Sequence, residues 1–184
     1  MDGPSGGSDI VEAARQGDLD AFELLMRQYE RLVLVTALRL LGNLEDAQDV
    51  SQEVFLKLYR NLARVEAERS FSGWLYRVTV NACHDLRRRK PLAAPVDEAA
   101  EIATGDADPQ AAAVEAERRR VVEMSLRMLS EKERAALVLR DMEGLSTEEV
   151  ARALGSTEAT VRSHISKARV KMRGFVERYF RRRI

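Results

Sequence analysis

One cysteine, Cys83, occurs in 184 residues, so an internal disulfide framework is excluded. Aromatics make up only 5% of the chain and prolines number four. No apolar run approaches the ~20 residues needed to span a bilayer, and the N-terminus lacks the form of a signal peptide. A cytoplasmic protein without membrane insertion is therefore expected. Net charge is missing as well, because 30 Lys plus Arg balance 30 Asp plus Glu. A lone DNA-binding module is usually basic overall, so DNA binding requires this charge to be segregated along the chain. Gly-rich phosphate loops, Cys/His clusters and triad spacings are also lacking. Cys83 and His84 are adjacent, which suits two helix residues better than a pair of metal ligands. No metal and no cofactor are expected, and an enzyme is the least favoured class.

What is present is helical patterning. Charged residues reach 33%, with many Leu, Val, Ala, Glu and Arg, which favours an all-α protein. The stretch from Phe71 to Lys90, FSGWLYRVTVNACHDLRRRK, organises the rest. Phe71, Leu75, Val78, Ala82 and Leu86 recur at three- and four-residue steps and form an apolar stripe. Trp74, Arg77, Asn81, His84 and Arg88 recur on a neighbouring stripe, and Arg87 to Lys90 is an unbroken basic run. An aromatic on a polar face offers a stacking surface for a base, worth roughly 1–3 kcal/mol. Cations at the same helix end suit phosphates. A half-buried Trp and a solvated, dipole-complementing helix end form the competing reading.

Upstream, residues 1–8 are Gly- and Ser-rich and read as a disordered terminus. Asp9 with Glu12 has capping spacing. Leu19 to Leu41 reads as a long amphipathic helix closed by Gly42, and Asn43 caps the next. That helix, Leu44 to Leu62, is apolar on one face and carries Glu45, Asp46, Asp49, Gln52 and Glu53 on another. The helix dipole accounts for acids in the first turn only. The remainder reads either as a solvated face or as a docking face for a basic partner. Asn61 to Ser70 reads as a loop.

Residues 91–112 hold three prolines, many alanines and only acidic charge, and read as an extended linker. Helical patterning returns over 113–184. Ser130 with Glu133 and Ser146 with Glu149 are capping boxes. Gly155 then closes a short helix before Ser156-Thr157 caps another. Two capped helices joined by a tight Gly turn, with a basic second helix, read as a helix-turn-helix. Thr157, Glu158, Thr160, Arg162, Ser163 and Lys167 occupy the part of the second helix that would meet base edges in the major groove. Arg169, Lys171 and Arg173 add charge suited to phosphates.

Three stretches in this order, DAQDVSQEVFLKLY (46–59), FSGWLYRVTVNACHDLRRRK (71–90) and LSEKERAALVLRDMEGLSTEEVARALGSTEATVRSHISKAR (129–169), resemble a bacterial RNA polymerase sigma factor. The resemblance is to the extracytoplasmic-function, or group 4, kind of the sigma-70 family, and runs from about Asp9 to Phe180. It implies a sigma-2-like bundle over 9–90 and a sigma-4-like helix-turn-helix over 113–184, joined by the linker. It implies that Asp46, Asp49, Gln52, Glu53 and Phe55 bind core RNA polymerase at the largest-subunit clamp helices, with the flap as a further contact. Asn61, Phe71, Trp74, Arg77, Asn81, Arg87 and Arg88 would take the opened −10 promoter element. Thr157, Glu158, Thr160, Arg162, Ser163, His164, Lys167 and Arg169 would read the −35 duplex. An anti-sigma factor is an expected further partner. Ala159, His164 and Ser166 depart from the residues frequent in relatives, so the −35 sequence does not follow by analogy. Two other classes compete: a stand-alone helix-turn-helix regulator with an oligomerising or ligand-binding N-terminal half, and a helical protein adaptor.

Overall fold

Asp18 starts the longest helix of the N-terminal half for a local reason. Its extended backbone lets one carboxylate oxygen accept from the N–H groups of Asp20 and Ala21, at 2.9 and 3.0 Å. Two donors that a helix start leaves without partners are thereby satisfied. The computed structural model describes residues 6–62, 71–90 and 109–182, with side chains described from residue 9 and, after the second gap, from residue 111. All regular structure among the described residues is helical.

Four helices form the N-terminal half: α1 (Gly6–Arg15), α2 (Leu19–Leu41), α3 (Leu44–Asn61) and α4 (Phe71–Arg89). The left-handed backbone of Gly42, φ +75°, stops α2, and Asn43 accepts from the Asp46 N–H to open α3. Leu25, Val33, Val50, Val54, Leu58 and Leu75 are almost completely enclosed between α2, α3 and α4. Each such side chain contributes roughly 1.5–3 kcal/mol of transfer free energy, offset by chain ordering.

The C-terminal half contains α5 (Pro109–Arg127), α6 (Glu131–Leu137), α7 (Thr147–Ala153) and α8 (Glu158–Arg181). Both capping boxes form: Ser130 with Glu133 opens α6, and Ser146 with Glu149 opens α7. Between α7 and α8, Gly155 takes φ +57° while the Ser156 N–H donates to the Ala151 carbonyl at 2.9 Å. A β-carbon at residue 155 would strain that turn. Val150, Val161 and Ala168 close the helix-turn-helix core.

Several expectations change. Gly6 to Ser8 continue α1, so Asp9 lies inside that helix and is not its cap. Asn61 ends α3, with its side-chain amide donating to the Lys57 carbonyl at 2.8 Å. The rest of the expected loop and most of the expected linker lie outside the described residues, and 109–112 belong to α5. The helix after Ser130 runs on through a π-helical turn, Val138–Met142, before Gly144. Finally, α4 is buried on more than one stripe. Leu75 and Ala82 face the core as expected, but Tyr76, Thr79, Val80 and Cys83 are buried too. The cause is that α4 packs on α2 and α3 and also on the C-terminal half at α7.

Arg134 holds that junction. It is buried, and no carboxylate among the described residues forms an ion pair with its guanidinium. Its Nε donates to the Leu126 carbonyl at 2.8 Å, Nη2 to Arg127 and Leu129 at 3.3 Å, and Nη1 crosses to the Leu40 carbonyl at 2.7 Å. The cation thus sits where α2 and α5 both end, at the negative poles of two helices. Burial, with Arg87 nearby, lowers its pKa to about 10. Replacing Arg134 by Met strips partners from enclosed carbonyls at two helix ends. A loss of about 3 kcal/mol is expected in denaturant unfolding; a loss below ~1 kcal/mol would mean these bonds contribute little.

Candidate nucleic-acid and polymerase interface

Three surfaces carry the residues singled out in the sequence. On α3, Asp49 and Gln52 are exposed, and Glu53 is partly exposed beside Lys57 at 2.7 Å. Asp46 is held by Lys90 at 2.8 Å, and Phe55 is half-buried against the core. That leaves Phe55 as packing as much as surface. Sequence reasoning passed over two neighbours, Leu56 and Tyr59, which are 55% and 58% exposed. Leu56 follows Asp49, Gln52 and Glu53 at helical steps, so the spacing places it on their face. Tyr59 meets Phe22 edge-on with ring centres 5.2 Å apart. Together they form a surface with acids toward the start of α3 and apolar groups toward its end.

On α4, Trp74, Arg77, Asn81 and Arg88 share one side at helical spacing. Arg77, Asn81 and Arg88 are exposed, whereas Trp74 is half-buried. Trp74 stacks on Phe71, with centres 6.4 Å apart and planes at 22°, and Phe71 meets Tyr29 edge-on at 5.0 Å. One edge of a three-ring cluster is thus fixed in place with cations along its side. Arg88 is 78% exposed, 3.9 Å from Asp85. Arg87 does not join this set. Thirteen residues from Trp74, it falls on the far side of the helix. Its guanidinium donates to the Leu40 carbonyl and approaches Glu131 of α6 at 3.4 Å.

The third surface is the outer side of α8. Thr157 is the cap, accepting from the Thr160 N–H at 3.2 Å. Glu158 pairs with Arg162 at 2.9 Å. Thr160, Arg162, Ser163 and Lys167 are exposed and His164 is half-buried. Arg169 is turned toward the π-helical turn, where Asp141 binds it through both oxygens at 2.7 and 2.9 Å. That pairing raises the Arg169 pKa.

Two of the chain's segments match known family models: 25–91 matches Sigma-70 region 2, and 119–172 matches Sigma-70, region 4. The RNA polymerase sigma-H factor of Pseudomonas aeruginosa is 36% identical over 170 residues, covering 87% of this chain and 88% of that protein. The chain belongs to the sigma-70 family, in its extracytoplasmic-function branch. The ECF RNA polymerase sigma-E factor of Escherichia coli is 34% identical, over 94% of this chain and 95% of its own. Among solved structures, CnrH in complex with the cytosolic domain of CnrY aligns with a TM-score of 0.69 at 26% identity, over 94% and 98% of the two chains. RpoE bound to the anti-sigma factor NepR from Bartonella quintana aligns with a TM-score of 0.70 at 20% identity and shares the fold. This sigma factor directs transcription initiation, and the rival classes of regulator and adaptor are not favoured. No helix among the described residues is long and apolar enough to cross a membrane.

The recognition-helix half of the sigma factor depends on ionised carboxylates. Glu133 is buried, yet its carboxyl is held below the ordinary range. Lys171 donates to both its oxygens at 2.7 and 2.9 Å and the Ser130 N–H adds a third bond, which together outweigh burial. The hydrogen bonds of Ser146 lower the pKa of Glu149 likewise. A depressed folded value means stability that is present above the ordinary carboxyl pKa, ~4.3, and lost as pH falls through the lower folded value. The melting midpoint should therefore be flat near neutrality and decline below about pH 4. Glu133→Gln should lower the midpoint at pH 7 and make the acid decline shallower. An acid decline as steep as in wild type would remove Glu133 from this account.

Proposed function

We propose that the three surfaces divide the work of initiation. The face of α3 bearing Asp49, Gln52, Glu53 and Leu56 docks on core RNA polymerase at the clamp helices. The Trp74, Arg77, Asn81 and Arg88 side of α4 holds unstacked bases and phosphates of the −10 element. The outer face of α8, with Thr160, Arg162, Ser163 and Lys167, reads the −35 duplex. The arrangement along this side of α4 carries this reading most directly: an aromatic edge anchored by Phe71 and Tyr29, with Arg77 one turn on and Arg88 roughly 21 Å beyond Trp74 along the same side. An opened strand presents flat bases and free phosphates that a duplex does not, so binding them shifts the equilibrium toward melting. No covalent step is required, and the protein acts in the cytoplasm as a binding subunit, not an enzyme. By analogy with the complexes of CnrH and RpoE, an anti-sigma factor is a further partner.

In vitro transcription with core polymerase over a genomic library tests the division. Promoter-specific transcripts are expected only when this chain is added. Asp49→Lys with Glu53→Lys should abolish association with the polymerase. Trp74→Ala should leave association intact and reduce open-complex formation by roughly five- to 150-fold, since one base stack is worth ~1–3 kcal/mol. Lys167→Ala should weaken −35 binding at all sequences and lower the slope of log affinity against log salt by about one. Normal polymerase association by the double charge reversal, together with normal melting by Trp74→Ala, would refute the assignment.

A further inference from the structure

We propose that Arg169 and Lys171 are positioning residues, which fix the roll of α8 about its own axis so that Thr160, Arg162, Ser163 and Lys167 meet base edges in register. The proposal rests on the reading of α8 as the −35 recognition helix. It removes both cations from the set that neutralises phosphates, where their charge alone would place them.

The two residues straddle the buried stripe of α8. Val161, Ile165 and Ala168 are buried, and Met172 packs against the same core. By helical period, Arg169 falls about 40° past Ile165 on one edge of that stripe, and Lys171 about 60° beyond Ala168 on the other. Each meets a carboxylate presented from below. Arg169 donates through Nη2 and Nε to the two oxygens of Asp141, at 2.7 and 2.9 Å. Lys171 donates to both oxygens of Glu133, at 2.7 and 2.9 Å. Both carboxylates stand on fixed supports. Glu133 is 6% exposed and its oxygen also accepts from the Ser130 N–H at 3.0 Å. Asp141 belongs to the π-helical turn, whose exit is held where Arg140 donates to the Leu145 carbonyl at 3.0 Å and the Leu145 N–H to Leu139 at 3.1 Å.

A helix seated on one apolar stripe rolls about that stripe at low cost, because burial of apolar surface is non-directional. Ion pairs on both flanks resist roll in both senses. Turning one way draws Arg169 off Asp141; turning the other draws Lys171 off Glu133. Side-chain tips lie about 6 Å from a helix axis, so a roll of about 20° carries them roughly 2 Å sideways. Hydrogen bonds to base edges tolerate far less, since donor and acceptor must lie about 2.7–3.2 Å apart. Phosphate contacts through long, flexible side chains adapt to such a shift. Loss of either clasp therefore reduces base discrimination before it reduces sequence-independent affinity.

The test uses holoenzyme assembled from core polymerase and the full chain, with a promoter recovered from the genomic-library transcription. Two quantities are read. One is the ratio of affinities for a duplex carrying the −35 element and for the same duplex with that element scrambled. The other is the slope of log affinity against log salt. Each neutralised phosphate adds about 0.9 to the slope, whereas the ratio cancels sequence-independent charge. Arg169→Gln should lower the ratio roughly two- to fivefold, the scale of an exposed ion pair, and leave the slope unchanged. Arg169→Lys keeps the charge but loses the two-pronged fork, so part of the fall in the ratio should remain. Asp141→Asn should lower the ratio as far as Arg169→Gln does, and the two together no further than either alone. Lys171→Gln should also lower the ratio without moving the slope; it strips a partner from buried Glu133, so it is read well below its reduced melting midpoint. Arg169 is 58% exposed and Asp141 28%, so their variants should melt near wild type, which separates loss of register from loss of fold. A slope lower by about 0.9 in Arg169→Gln, with the ratio unchanged, would make Arg169 a phosphate contact and overturn the proposal. So would Asp141→Asn that binds more tightly at an unchanged ratio. If Lys167→Ala lowers the slope while the Arg169 and Asp141 variants match wild type in both quantities, the positioning role fails alone. If wild-type holoenzyme does not distinguish the scrambled duplex, the reading of α8 fails and takes the proposal with it.

Discussion

The guanidinium of Arg134 is the constraint on which the rest of the structure depends. It lies where α2 and α5 both finish, and it donates to carbonyls that those helix ends would otherwise bury without partners. Unmatched buried carbonyls cost about 1–3 kcal/mol each, so a cation among several of them is stabilising even without a carboxylate. The depressed pKa of Arg134 records the opposing term, the removal of charge from water beside a second cation, Arg87. Hydrogen bonds outweigh desolvation here because the carbonyls sit at helix C-termini, where the dipoles add to the local field.

From that joint the other features follow. Gly42 ends α2 so that the Leu40 carbonyl stays available to both arginines. The π-helical turn carries Glu143 toward Arg39 and Tyr76 and carries Asp141 toward Arg169. One local widening of a helix thus reaches in two directions, toward α4 and toward the recognition helix. The polar surfaces assigned to polymerase and DNA lie on the outer sides of α3, α4 and α8, away from this seam. The exception is Arg87, which the seam occupies.

Much of this was legible in the residues. Ser130 with Glu133, Ser146 with Glu149, Asn43 and Thr157 each announced a helix start, because cap chemistry is local and needs only a few neighbouring residues. Gly42 and Gly155 announced stops for the same reason. The stripe bearing Trp74, Arg77, Asn81 and Arg88 followed from helical period alone. What could not be read was contact at long sequence separation. Leu40 and Arg134 are 94 residues apart, and a backbone carbonyl leaves no trace in composition. The burial of Tyr76, Val80 and Cys83 could not be read either, because a single sequence does not reveal a second packing partner. Arg87 was grouped with its basic neighbours, although its helical angle relative to Trp74 already placed it on another side. Leu56 was likewise on the Asp49 face by spacing, but an apolar residue invites assignment to the core.

Small-angle X-ray scattering from the free, full-length chain tests the joint most directly. Halves held together around Arg134 predict a radius of gyration near the ~16 Å of a compact chain this size. A value beyond about 22 Å for the wild-type protein in dilute neutral buffer, with a scattering profile of two separated bodies, would contradict it.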